Sequence, residues 1–339
     1  MSQPEALHAT KRKRTEDASE PAVATTNPIT RSKIWVPFGD MVLQAESTQF
    51  RVNRDVLAGQ SPVFSDMLSL PQPSNDSEPT IEGCPVVHLF DSAKDWELLL
   101  GMLYDPFKYE DALPLDLIAS MLRLGRKYEM KTVKQNAVAR IRYEYPTRLD
   151  SWERVETHTT KILLPEGDGH LNVFKLAYEC DVLPSLPILA FLCVNNIDTE
   201  ALLMDEIQDS KGSCIVLPDY LKVKLAIASE RVRQFQRQHF GWLEDGAVIP
   251  DTECRVPTKC TSQRQKTFCM LALGDAHLEW PGERRFYALT FWRSEWSDGF
   301  CRACGMTAKE AYKSKLPAAW AALPSFFGMP EWKDLEGLN

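Results

Sequence analysis

The stretch that decides the fold is residues 39–67, GDMVLQAESTQFRVNRDVLAGQSPVFSDM. Its first half places apolar residues on either side of a polar break, which predicts a hairpin of two strands at Met41–Ala45 and Gln49–Val52. Its second half changes to helical apolar spacing over Asp55–Ala58 and again over Pro62–Leu68, where a leading proline suits the first helical position. The stretch therefore predicts a hairpin that leads into two short helices.

The residues that follow complete a small domain. Val86–Phe90 is apolar on both faces, which predicts a strand inside the sheet. Three helices are predicted next: one after the capping-box-like Ser92–Asp95, one over Leu117–Tyr128, and one that starts at Thr132. Residues 33–146 are therefore predicted to form an α+β domain, with a small sheet flanked by helices.

Residues 50–64 carry a spaced motif that is typical of one domain family. The motif is F-x-x-H-R/K-x-x-L-x-x-x-S-x-x-F, and the positions that fit it are Phe50, Arg54, Leu57, Ser61 and Phe64. In order and spacing this stretch resembles the BTB/POZ domain. Asn53 stands where most members have His, so no role of that imidazole carries over. Two further segments, Ile81–Val87 and Leu323–Trp332, resemble an expanded fungal set of BTB proteins.

The resemblance implies self-association and points to a pair of interface residues. In BTB domains that homodimerise, an Asp on the first strand and a basic residue after the hairpin form a charged pocket between subunits. By motif these residues are Asp40 and Arg54, and the implied partner is a second copy or a related BTB protein. Many BTB proteins are substrate adaptors of cullin-type ubiquitin ligases and carry a hydrophobic-x-Glu signature. The corresponding Gln72–Ser74 lacks both residues, which counts against a cullin partner.

Composition excludes several classes of protein. The 339 residues are 44% hydrophobic and 25% charged, as in ordinary folded proteins, and their net charge is −8. Acidic charge gives no attraction to nucleic acid or to an anionic membrane, and no zinc-finger pattern of the C2H2 type is present. No stretch reaches the 18 or so consecutive apolar residues of a membrane span, so we expect no membrane partner.

The first 32 residues are poor in large apolar side chains and are predicted to form a disordered tail. Within it, Lys11, Arg12, Lys13 and Arg14 are four consecutive cations, a pattern that nuclear import receptors can bind on an exposed flexible segment. The alternative is a solvated charge run with no receptor. We therefore expect a nuclear or cytoplasmic protein, or one found in both compartments.

The second half is predicted to be a helical extension over residues 147–248 and a small cysteine-containing module over residues 249–339. The tail holds no apolar segment of the kind a secretory signal needs, so the nine cysteines are expected to be reduced. Cys254-x5-Cys260 and Cys301-x2-Cys304 are two thiol pairs of the kind that build tetrahedral zinc sites. Five intervening residues are more than usual, so Cys269 or His277 could replace a ligand of the first pair. Unliganded buried cysteines and a redox site remain the alternatives to a structural zinc ion.

The sequence holds no local catalytic signature. A P-loop, an H-E-x-x-H zinc motif, a G-x-S-x-G nucleophile and an EF-hand loop are all missing. We therefore expect a non-enzymatic protein-interaction protein that homodimerises and acts as a scaffold or as a transcription-linked regulator in the nucleus. A substrate adaptor of a cullin-type ubiquitin ligase and a nucleic-acid-binding regulator are the two alternatives.

Overall fold

The computed structural model describes residues 28–70, 80–109, 111–153, 159–165, 169–209, 212–273 and 286–338. Its strands are β1 (Thr30–Trp35), β2 (Met41–Ala45), β3 (Thr48–Val52), β4 (Thr80–Ile81), β5 (Cys84–Leu89), β6 (Leu113–Pro114) and β7 (Ile162–Leu163). Five of them form one sheet in the order β1-β3-β2-β5-β4, and β6 pairs with β7.

The predicted hairpin is confirmed. β2 and β3 pair antiparallel with Met41 opposite Val52 and Ala45 opposite Thr48, and β5 lies parallel to β2 on its other side. Four of the five β2 side chains are fully buried, which explains why its apolar run has no polar alternation. The turn between β2 and β3 contains Glu46, whose φ of 50° is left-handed.

The structure differs from the sequence prediction at the N-terminal boundary. β1 begins at Thr30, inside the stretch predicted as a disordered tail. This strand pairs parallel with β3 at the edge of the sheet, and none of its side chains is fully buried. Backbone pairing, the ion pair between Arg31 and Glu82 and one partly buried side chain, Ile34, hold it, so no alternating run of apolar residues marks this strand in the sequence. The remainder of the predicted tail, residues 1–27, lies outside the described residues.

The helices of the N-terminal domain are α1 (Arg54–Gln60), α2 (Pro62–Ser69), α3 (Ala93–Tyr104), α4 (Leu115–Lys127) and α5 (Lys131–Glu144). Ser61 and Ser92 act as N-caps of α2 and α3, because their hydroxyls accept hydrogen bonds from backbone amides three residues on. Between these helices, the ring of Phe64 stacks on Tyr128 at 4.9 Å and meets Trp96 edge-on at 5.9 Å. These rings fix α2 against α3 and α4.

The C-terminal half is helical, as predicted. Its helices are α6 (Leu149–Trp152), α7 (Gly169–Glu179), α8 (Leu186–Asn196), α9 (Thr199–Leu203), α10 (Asp219–His239), α11 (Pro257–Leu273), α12 (Arg302–Phe326) and α13 (Trp332–Glu336). The apolar face of α10 is buried at Leu221, Leu225, Ala228 and Val232, and α8 is buried along most of its length. None of the described helices is both long enough and apolar enough to cross a membrane.

Two hydrophobic cores organise the chain. The first core runs from the sheet through α7, α8 and α10 and ends on Ala319, Trp320, Leu323 and Phe327. The second core consists of Phe240, Trp242, Leu243, Ile249, Cys260, Leu271, Ala272, Trp296, Cys304, Ala308, Tyr312 and Leu316. Because α12 contributes to both cores, and residues 240–243 belong to the second, the cysteine-containing module shares its core with the helical extension.

Candidate metal centre

The four predicted cysteines lie together where two long helices begin. Cys260 is in the first turn of α11, and Cys254 lies in the loop just before it. Cys301 is the N-cap residue of α12, and Cys304 is in its first turn. Four residues that are up to 50 positions apart in the sequence are thus brought to one point by two helix N-termini.

The spacing of the sulfurs suits a tetrahedral metal. One ligand atom from each of the four residues lies within 4.8 Å of all the others, and the Sγ atoms of Cys254 and Cys301 are 3.8 Å apart. A zinc ion with Zn–S bonds of about 2.3 Å separates its sulfurs by roughly 3.8 Å when the geometry is tetrahedral. The four thiols could therefore hold a zinc-sized ion with small adjustments.

The structure accounts for the wide spacing of the first cysteine pair. The intervening residues complete the loop and then enter α11 at Pro257, so that Cys260 returns toward Cys254 on the first helical turn. The Cys260 amide bonds the Val256 carbonyl at 3.1 Å. Cys269, considered as a substitute ligand, lies further along α11 and is not in the group of four. His277, the other substitute, lies outside the described residues.

Backbone amides donate to the two buried sulfurs. The Cys301 N–H lies 3.3 Å from the Sγ of Cys260, and the Asp251 N–H lies 3.3 Å from the Sγ of Cys304. Asp251 is itself held by the hydroxyl of Thr307, 2.6 Å from its carboxylate. Hydrogen bonds to sulfur favour the thiolate, which is the form that binds metal. Asp251 thus supports the site without being a ligand.

Sequence reasoning missed this supporting shell, although one signal for part of it was present. Asp298-Gly299 is a turn dipeptide that is separated from the second cysteine pair by one residue, Phe300. Gly299 has a φ of 85°, and an added Cβ would lie 2.5 Å from the Gln263 side chain. The turn therefore requires glycine and brings the start of α12 against α11.

The thiols titrate differently because their surroundings differ. A hydrogen bond from the Cys304 amide lowers the pKa of Cys301 to about 7, whereas burial raises the pKa values of Cys260 and Cys304. A buried thiolate is costly unless a positive charge compensates it. A divalent cation would supply that charge to all four sulfurs at once.

The second predicted pair, Asp40 and Arg54, meets within the chain at the start of α1. One carboxylate oxygen of Asp40 accepts the Arg54 backbone N–H at 2.8 Å, and the other lies 3.8 Å from the Arg54 Nε. The Asp40 side chain is 57% exposed and the Arg54 side chain 36% exposed. Beside them, Phe38 is 90% exposed, and its carbonyl accepts a hydrogen bond from Asn53. Their place at a subunit interface stays a prediction.

Two sequence segments with predicted roles lie outside the described residues. These are the basic run Lys11–Arg14 and the stretch Gln72–Ser74 compared with the cullin-binding signature.

Comparison with known proteins is informative for the N-terminal domain. The BTB/POZ domain family matches residues 35–144, which spans β2 and β3, the sheet partner β5 and helices α1 to α5. No curated protein matches the sequence. The match agrees with the resemblance in residues 50–64 and with the small sheet flanked by helices. Residues 35–144 are therefore a BTB/POZ domain, and a helical region that contains four clustered cysteines follows it.

Proposed function

We propose that this chain is a non-enzymatic interaction protein that homodimerises through its BTB/POZ domain. The observation that carries the proposal is the family match over residues 35–144, because BTB domains commonly mediate association with themselves or with related proteins. The helical half would then be displayed twice in each dimer and present a surface to further partners.

The surroundings of Asp40 and Arg54 support an interface at this end of the domain. The Arg54 Nε is buried yet has no hydrogen-bond partner among the described residues, and its distance to Asp40 is 3.8 Å. Phe38 exposes almost its whole ring next to the pair. A second subunit would cover this ring and complete the hydrogen bonding of the guanidinium.

Sedimentation of the full chain tests the dimer. We expect wild type to be dimeric at micromolar concentration and Asp40→Asn to shift toward monomer, because a covered Arg54 loses its counter-charge. The matched control is Asp116→Asn, since Asp116 is also 57% exposed and ion-paired, with Lys94 at 2.5 Å. An exposed pair contributes under about 1 kcal/mol, so the control should leave the dimer intact. A monomeric wild type would contradict the proposal, and so would equal behaviour of the two variants.

We further propose that Cys254, Cys260, Cys301 and Cys304 bind one structural zinc ion. Four sulfurs within 4.8 Å, an all-thiol ligand set and backbone donors on the buried sulfurs support this reading over packed thiols. The ion would join the first turns of α11 and α12 and stabilise the second core, because metal bound only by the folded state adds to folding stability.

Metal analysis tests the zinc proposal directly. Protein purified without chelator should contain about one equivalent of zinc, and Cys304→Ser should lose most of it. Cys269→Ser is the matched control, because this α11 cysteine lies outside the group of four. Cobalt substitution should give the charge-transfer absorption of thiolate ligation in wild type and in the control. Less than about half an equivalent of zinc, with all four thiols freely titrating, would rule the site out.

We also propose that the chain enters the nucleus through Lys11–Arg14 and works there as a scaffold or transcription-linked regulator. Replacement of these four residues by alanine should abolish nuclear accumulation of a tagged chain and leave its thermal stability unchanged. A variant that remains nuclear would contradict the import role. Affinity purification should recover chromatin regulators, whereas recovery of a cullin would support the adaptor alternative instead.

A further inference from the structure

The four clustered cysteines are not equivalent. Cys260 and Cys304 are fully buried, and each accepts a backbone hydrogen bond. Cys254 and Cys301 are only half-buried, and their Sγ atoms lie 3.8 Å apart. A dissolved reagent can therefore reach one pair of sulfurs, while the protein interior shields the other pair.

The accessible pair also has the freedom to move closer. A disulfide needs an S–S distance of about 2.05 Å, so the two sulfurs must approach by roughly 1.8 Å. Cys254 lies in the loop before α11, where it is tied by one backbone hydrogen bond to Asp251. Cys301 is the N-cap residue of α12 and is likewise only half-buried. Together they provide a nucleophile and a neighbouring thiol.

We propose that Cys254 and Cys301 form an oxidation site at which a peroxide converts the zinc centre into a disulfide and releases the metal. This inference rests on the proposed zinc site. The Cys301 thiolate attacks one peroxide oxygen, the O–O bond breaks, and water leaves after protonation, so that a sulfenic acid remains. The Cys254 thiolate then attacks the Cys301 sulfur, the S–O bond breaks, and a second water leaves as the S–S bond forms.

Hydrogen peroxide is the only oxidant that this reaction needs. The two sulfurs together lose two electrons, hydrogen peroxide gains two, and two water molecules are produced with protons from solvent. Cys260 and Cys304 alone would remain as ligands, which is too few to hold a structural zinc ion, so the metal would be released. The disulfide keeps the loop before α11 joined to the start of α12, so the oxidised chain retains one of the connections that the metal made.

Tryptic mapping identifies the oxidised pair, because Lys and Arg residues separate all four cysteines. The peptides are 238–255 for Cys254, 260–264 for Cys260, 294–302 for Cys301 and 303–309 for Cys304. Full-length protein purified without chelator is treated with one to a few equivalents of hydrogen peroxide, and zinc release is followed with a colorimetric chelator. After alkylation, the main cross-linked species should join 238–255 to 294–302, with about one zinc released per disulfide.

Variants separate this mechanism from general thiol oxidation. Cys254→Ser should leave a sulfenic acid on Cys301 that a dimedone-type reagent traps, and Cys269→Ser should behave as wild type. A dominant cross-link to peptide 260–264 or 303–309 would overturn the inference, as would oxidation of Cys214 or Cys269 while zinc stays bound. If metal analysis finds no zinc, the proposed function fails, yet peptide mapping of the wild type still decides whether Cys254 and Cys301 pair. Should Cys254→Ser not fold, the wild-type map alone remains decisive.

Discussion

At the scale of single residues, the backbones around Gly39 are too close to admit a side chain. A Cβ at this position would lie 2.9 Å from the Val52 carbonyl and 2.9 Å from Cγ of Arg51. We expect Gly39→Ala to force β2 and β3 apart and to destabilise the BTB/POZ domain by about 1–3 kcal/mol. The measurement is urea denaturation of the full chain.

Gly59 is the control for this prediction. It lies in α1, and a Cβ there would meet nothing within 4 Å. Alanine is favoured over glycine in a helix by roughly 0.5–1 kcal/mol, so Gly59→Ala should be neutral or stabilising. Equal destabilisation by the two substitutions would show that the close approach at Gly39 is not the cause.

His239 gives a residue-scale prediction about pH. The ring is 7% exposed and packs edge-on against Phe240 and Tyr312, and its Nε2 has no hydrogen-bond partner in the described part of the chain. Burial, with a smaller contribution from Lys315, lowers its pKa from 6.5 to about 4. Between pH 6.5 and about pH 4, this histidine therefore binds a proton in the unfolded chain but not in the folded chain.

The pKa of His239 is lower in the folded chain than in the unfolded chain. The stability that the folded chain gains by keeping this ring neutral is therefore fully present above pH 6.5. It is lost as the pH falls toward 4, at about 1.4 kcal/mol per pH unit. Between pH 7 and 5.5, wild type should lose about 1 kcal/mol more than His239→Leu in chemical denaturation. If wild type and His239→Leu lose the same free energy of unfolding, the pH dependence does not come from His239.

At the scale of elements, Lys222 connects α10 to the segment after α9. Its side chain is 7% exposed, and its Nζ lies 2.6 Å from Asp205 and 3.1 Å from Asp219. We expect Lys222→Ala to lower the melting temperature clearly, because Asp205 loses its counter-charge. Lys224→Ala, two residues along the same helix at an exposed position, should change it little. If both substitutions change the melting temperature only slightly, the ion pairs of Lys222 do not hold the two segments together.

Elements whose signals are local could be predicted from the sequence. The hairpin of β2 and β3 and the cap of α3 at Ser92 follow from a few adjacent residues. β1 could not be predicted, because an edge strand held by backbone pairing shows no apolar pattern. His88 shows the limit of strand patterns: the run Val86–Phe90 is apolar on both faces and predicts a strand inside the sheet, yet this histidine is exposed.

The candidate site was partly predictable for the same reason. Spacing alone identified the cysteine pairs that the fold brings within 4.8 Å. Its supporting contacts were not predictable, because the Asp251 amide reaches Cys304, and the Gln263 side chain reaches Gly299, only through long-range packing. Spacing also could not reveal that Phe240 and Trp242, outside the predicted module, share a core with Cys260 and Cys304.

At the scale of the whole molecule, the division into two cores predicts which part responds to loss of metal. Chelation should loosen the second core and expose the rings of Trp292 and Trp296, while the first core retains its own contacts. In limited proteolysis of the full chain, we expect new cleavages after residue 250 and an intact BTB/POZ domain.

Cys304→Ser provides the control for chelation, because a chelator has nothing to remove from a variant that binds no zinc. Its cleavage pattern should match that of chelated wild type and should not change further on chelator addition. Early cleavage within residues 35–144 would contradict the division into separately responding cores.

The contacts between the end of the chain and the segment after the BTB/POZ domain have a consequence for biosynthesis. The Trp320 indole donates to the Thr147 carbonyl at 2.9 Å, and the Thr147 hydroxyl donates to Glu336 at 2.6 Å. These partners are separated by 173 and 189 residues. A nascent chain on the ribosome can form its N-terminal domain early, but the adjoining surface stays open until Trp320 and Glu336 have emerged. That surface, with Trp152 at its edge, is where we expect a chaperone to hold the unfinished chain.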